Sequence, residues 1–115
     1  MKMAVVLFTA LVFSINLSHA AGNAEAGKAR ALAGKDKERC ADCHGPDGNK
    51  PDAADRPILA GQHYDYLVKA LRDYQNGRRV NATMKTYAGP LSRKDIEDLA
   101  AWFSSQKSTS LHDQR

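Results

Sequence analysis

The strongest constraint on this 115-residue chain is a shortage of core-forming side chains. Its long apolar run, residues 3–17, follows Lys2 and leads into Ser18-His19-Ala20, small residues of the kind a signal peptidase reads. The run is shorter than the roughly 20 residues a spanning helix needs. It reads as a secretory signal over residues 1–20, with an uncleaved N-terminal anchor as the competing reading. No cysteine follows the run, which argues against a lipoprotein. Removing the signal leaves residues 21–115, with few large apolar side chains among them. A domain of that size buries only about 60% of its extended surface and is marginal without a staple, a metal or another inserted group.

The cysteines do not supply a staple. Only Cys40 and Cys43 are present, and a bridge between them would close a tiny loop that constrains little. Charge excludes another class. Lys and Arg number 17 against 13 Asp and Glu, and the formal +4 falls to +3 once Lys2 leaves with the signal. Acids are interleaved with bases throughout, without the dense basic stripe of a nucleic-acid binder.

Local pattern points to helices and to no strand of useful length. Residues 24–33, AEAGKARALA, are rich in strong helix formers, with Asn23 as N-cap. Gly27 inside this segment reads either as a tolerated glycine or as a close crossing with another helix. Gly34 reads as the helix end, and residues 35–39 as a further short turn. Gly45-Pro46-Asp47-Gly48-Asn49 is a turn cluster opening an ordered loop that runs to Pro57. After Gly61, Tyr64, Leu67, Val68, Leu71 and Tyr74 form one apolar helical stripe that Gly77 ends. Residues 80–90 read as irregular. In the last helix Ser92 is the N-cap and Asp95 completes a capping box, Leu91 and Ile96 form a hydrophobic staple, and Ile96, Leu99, Ala100 and Phe103 form the buried stripe, widened by Trp102. From Ser104 a polar tail begins, carrying His112.

The informative segment is Cys40-Ala41-Asp42-Cys43-His44. Two thiols three positions apart can add to the two vinyl groups on one edge of a haem, and the histidine directly after them can ligate the iron. CxxC alone also occurs in thioredoxin-like redox sites and in zinc sites. The first needs a βαβ setting and the second four protein ligands. Neither is visible here, but thiol redox chemistry and metal binding remain the alternatives to haem. For the iron's second ligand, Met84 is the only methionine outside the signal, lies 40 residues after His44 and has polar neighbours in Asn81, Thr83 and Lys85. Its competing role is core filler. His63 is the other candidate ligand.

These residues resemble the class I cytochromes c, most closely the single-haem modules of the cytochrome c4, c5 and c553 group. CADCHG with PDGN after it, PILAGQ at 57–62, YLVKALRDYQNG, RVNATM at 79–84 and LSRKDIEDLAAWFSSQ at 91–106 occur in that group's order. The likeness covers roughly residues 23–106. It implies an all-α, small class I cytochrome c fold around one covalently bound haem c, with a domain over 21–106 and a flexible polar tail over 107–115. It implies a haem carried on Cys40 and Cys43 with axial ligands His44 and Met84. It also implies that the Pro57 carbonyl accepts a hydrogen bond from the His44 ring, and it places Arg79 and Asn81 near the propionates or the methionine loop. The first and last helices should cross near Gly27 and Trp102. The spacing from Gly27 to Cys40 is longer than the family's, so Gly34 competes with Gly27 for the crossing. A single CxxCH implies a single haem.

The function implied is a periplasmic, soluble carrier of single electrons and not an enzyme, a monomer that meets redox proteins transiently at the haem edge, with no nucleic acid and no stable membrane insertion after signal cleavage. An enzyme or gas sensor with an open iron site is one alternative. An electron-transfer subunit of a larger oxidoreductase is another.

Overall fold

The computed structural model describes residues 22–35 and 38–109, so the proposed signal, His112 and the end of the tail lie outside the described residues. Among the described residues there are five helices and no strand: α1 (Ala24–Leu32), α2 (Cys40–His44), α3 (Tyr64–Asn76), α4 (Ala82–Ala88) and α5 (Arg93–Ser105). None is long and apolar enough to cross a membrane.

The ends of α1 and α5 follow their capping residues. Asn23 Oδ1 accepts from the Ala26 N–H at 3.0 Å. Ser92 Oγ accepts from the Asp95 N–H at 3.0 Å, and the Asp95 carboxylate accepts from the Ser92 N–H at 3.0 Å. Each bond satisfies a donor that a helix start leaves without a partner. Rather than fraying at Ser104, α5 runs to Ser105. Beyond it, the Asn49 side chain donates to the Lys107 carbonyl at 3.0 Å and accepts from the Thr109 N–H at 2.9 Å.

Packing is organised by α5. It crosses α1 and also packs against α3, which in turn carries α4. The core collects Leu67 and Tyr74 of α3, Ala88 of α4, Leu91, and Ile96, Leu99, Ala100 and Phe103 of α5, with Ala31 of α1. The buried stripes expected on α3 and α5 are those found.

The crossing point is Gly27. A Cβ there would lie 1.9 Å from the Asp98 carbonyl oxygen and 2.9 Å from the Trp102 Cβ, so only hydrogen fits. Gly34 has no such neighbour and instead adopts φ +120° in the turn after α1. The open choice between the two is resolved in favour of Gly27.

Two segments differ from the sequence reading. Residues 80–90 are not irregular throughout, because α4 occupies the middle of them. Asn81 nucleates it by accepting from the Met84 N–H at 2.9 Å, and Gly89 with Pro90 stops it. The turn expected over residues 35–39 includes residues 36 and 37, which lie outside the described residues; the helix α2 that follows is not among the expected ones, and its start is stapled when the Asp42 carboxylate accepts from both the Arg39 backbone N–H (3.1 Å) and its guanidinium (2.8 Å).

Asp98 is a buried acid that the apolar stripe did not mark. It is 5% exposed, accepts from the Asn23 N–H at 2.7 Å and pairs with Lys94. Burial pushes its carboxyl up, but the Lys94 hydrogen bond and the Asn23 N–H outweigh burial and hold it below the ordinary value. A carboxyl depressed in the fold contributes stability above its unfolded pKa and loses it as pH falls through the folded one. Asp98→Ala should cost about 2 kcal/mol at neutral pH, mostly through the lost bond from the Asn23 N–H, since the Lys94 arm is exposed and screened by solvent. Urea melts at pH 7 and at acid pH check this: the difference between wild type and variant should shrink on acidification.

Candidate cofactor site

A cleft of about 980 Å³, counting its open mouth, lies between α2, α3, α4, α5 and the loop after α2. Leu67, Leu71 and Tyr74 of α3 and Leu99, Ala100 and Phe103 of α5 give it apolar walls. Several of these are also the core, so the cleft and the core are one region.

Of the residues marked in the sequence, the structure brings Cys40, Cys43, His44, Pro57, Arg79 and Met84 together around this cleft. Asn81 is not among its lining residues. It sits outside, as the N-cap of α4, bonded to the backbone of Met84. His63 precedes α3 as its N-cap residue and does not line the cleft. Met84 packs against the core from α4.

The loop after α2 wraps that helix through backbone bonds. The Asp52 N–H donates to the Cys43 carbonyl at 3.0 Å, and the Lys50 N–H to the His44 carbonyl at 3.2 Å. This return path brings the Pro57 carbonyl to 2.9 Å from His44 Nδ1. A carbonyl only accepts, so Nδ1 carries the hydrogen. In the neutral ring Nε2 then holds the free lone pair, as a metal ligand requires. Burial pushes the His44 pKa below its ordinary value, with Arg56 adding to that and the Pro57 bond and Asp52 opposing it. The neutral form is therefore favoured. Burial likewise raises the Cys40 thiol. Cys40 and Cys43 are half-buried and not bridged.

Sequence reasoning missed several lining residues. Arg56 lies in the cleft wall with its Nε 2.6 Å from Asp52 Oδ1. Tyr66 accepts at its hydroxyl from Arg79 at 3.2 Å, while the Arg79 guanidinium also lies 4.9 Å from the Tyr74 ring centre. Trp102 stands outside, where Nε1 donates to the Pro46 carbonyl at 3.0 Å and braces the loop after His44 against α5. Position beside Pro57 was the one available signal for Arg56; the others depend on tertiary approach.

The residues fit a flat, apolar ring bearing a metal. The walls are hydrocarbon, a neutral imidazole with its Nε2 lone pair free and a thioether line the same space, and two thiols stand at its margin. Among the described residues no group of three or more His, Cys, Asp and Glu is placed to hold a metal ion by itself.

Comparison with known proteins agrees. The family model described as cytochrome c matches residues 24–107. The cytochrome c4 of Pseudomonas aeruginosa is 45% identical over 91 residues, covering 79% of this chain and 42% of that protein. The cytochrome c-554(548) of Halomonas halodenitrificans is 42% identical over 81 residues, covering 67% of this chain and 96% of that protein. The crystal structure of reduced recombinant cytochrome c4 from Pseudomonas stutzeri superposes with a TM-score of 0.66 at 41% identity, over 77% of this chain and 48% of that chain. The chain thus spans less than half the length of the cytochrome c4 relatives it matches. Because the family match runs from α1 to beyond α5, the likeness takes in every described helix as well as the cysteine segment, and the chain belongs to the cytochrome c family.

Proposed function

We propose that this protein is a soluble periplasmic carrier of single electrons, with a haem c joined to Cys40 and Cys43 and ligated by His44 and Met84. The observation that carries the reading is the convergence of these four side chains on one apolar cleft, with the His44 ring already oriented by Pro57. As in the rest of the family, the cofactor is a covalent haem c with histidine and methionine axial ligands. The haem supplies a one-electron couple between ferric and ferrous iron.

The chain's own residues do the rest. Pro57 fixes the tautomer and direction of His44 and strengthens its donation. Asn81 holds the backbone of Met84 from outside the cleft. With His44 and Met84 both holding the iron, no position on it would be left for a substrate. Leu67, Leu71, Leu99 and Phe103 line the cleft with hydrocarbon and would keep water from a bound haem, disfavouring its more charged ferric state. Arg79, anchored by Tyr66 and Tyr74, lines the same cleft and would offer its guanidinium to the haem's carboxylates. Cys40 and Cys43 are half-buried, so the part of the haem joined to them would be reachable from solvent, and redox partners of a monomeric carrier would dock there through a small, transient interface. Residues 1–20 serve as the export signal, 21–106 as the domain and 107–115 as its tail.

Replacing the methionine tests the reading. The wild-type ferric protein should be low-spin with the weak long-wavelength absorption of a methionine-bound haem. Met84→Ala should lose that band, become high-spin and have a midpoint potential lower by roughly 100 mV or more, within the ~0.8 V that axial ligation spans. An unchanged spectrum in the variant would remove Met84 from the iron.

A further inference from the structure

We propose that Gln75 is a positioning residue for Met84, acting through the turn that ends α4. The inference rests on Met84 being the iron's second protein ligand. Met84 sits on a helix of only seven residues. Helices shorter than about 12 residues are marginal by themselves, so the ligand's place depends on what fixes the two ends of α4. The start is fixed locally by Asn81. At the other end Ala88 is followed by Gly89 and Pro90, and the last carbonyls of a helix have no partners within it.

Gln75 reaches that end from α3. Its Nε2 donates to the Ala88 carbonyl at 2.8 Å and to the Leu91 carbonyl at 2.7 Å. Both partners accept only, so the amide nitrogen faces them, and its two hydrogens account for the two bonds. The Leu91 N–H also donates to the Ala88 carbonyl, at 3.1 Å, and Gln75 ties this local turn to α3 while holding Leu91, the buried residue just before the N-cap of α5. α4 is clamped between Asn81 and Gln75, with Met84 between the clamps.

Leucine at position 75 is one bond shorter and removes both donors. Glutamate keeps the shape but turns a carboxylate toward two carbonyl oxygens. Lysine carries three N–H donors and can serve both carbonyls.

The test uses the haem-loaded full chain and imidazole, which competes with the methionine for ferric iron. Loss of a clamp of about one buried hydrogen bond should let imidazole bind roughly tenfold more tightly to Gln75→Leu and Gln75→Glu, with a weaker methionine–iron band in each. Gln75→Lys should stay within about twofold of wild type. A purely structural role would lower thermal stability in the Leu and Glu variants while leaving imidazole affinity and the band unchanged, and that result overturns the inference. A wild-type protein without the band overturns the Met84 assignment itself, and this inference with it.

Discussion

A chain with both Cys40 and Cys43 replaced by alanine is expected to be secreted colourless and to have lost most of its helical signal. Cys40 packs against the core, but the loss of its own side chain is not what fails. The failure comes from the cleft. Leu67, Tyr74, Leu99, Ala100 and Phe103 line it and are also the centre of the core. Without an insert these side chains are buried only by one another, and their cleft side lacks the packing partner that a filled core would supply, so each forfeits dispersion contacts there. A domain of this size has a total stability of roughly 5–15 kcal/mol, so losing several such contributions is enough to unfold it. Mass spectrometry should find the polypeptide without haem, and far-ultraviolet circular dichroism should show little helix. A colourless variant that keeps wild-type helicity and unfolds cooperatively would mean that the helices sustain one another, and the argument from the cleft would be wrong.

The second large effect is expected at Gly27→Ala. In an isolated helix this change would be favourable by about 1 kcal/mol. Here the added Cβ would be placed 1.9 Å from the Asp98 carbonyl oxygen, far inside contact distance. The obstacle is backbone, not a side-chain tip that could swing away, so α1 and α5 must separate. Overpacking of this kind costs about 3 kcal/mol, which outweighs the gain in propensity. At roughly 4–8 °C per kcal/mol, the melting temperature of the haem-loaded protein should fall by roughly 12–24 °C. Gly27, Asp98 and Trp102 do not line the cleft, so the absorption spectrum before melting should match wild type. A variant that melts within a few degrees of wild type would show that the two helices have slack at this point.

What could be read from the sequence was local. The caps at Asn23 and Ser92, the stripes of α3 and α5 and the cysteine–histidine segment all signal through near neighbours in the chain. The α4 segment, ATMKTYA, reads as irregular because seven residues show too little periodicity and because its start signal, Asn81, reads equally as a residue near the propionates or the methionine loop. Asp98 sits among charged residues and looks solvent-facing; its burial depends on Asn23, which is 75 positions away. Gln75 falls by spacing on the apolar stripe of α3, a polar residue among apolar ones, but its two carbonyl partners come from a turn that local propensity does not describe. Of the candidate site, residue types were visible and their convergence was not, because convergence is made by the loop from Gly45 to Pro57 and by the packing of α3 on α5.

The crossing at Gly27 also sets an order of events during biosynthesis. Helix α1 is made before α5, yet its docking surface is built by Asp98 and Trp102 of that later helix. Until α5 emerges, α1 lacks this surface to close against, and a contact of such long sequence separation forms late because a large loop must be ordered first. The cysteine segment between them is therefore made before the crossing that closes the domain can form.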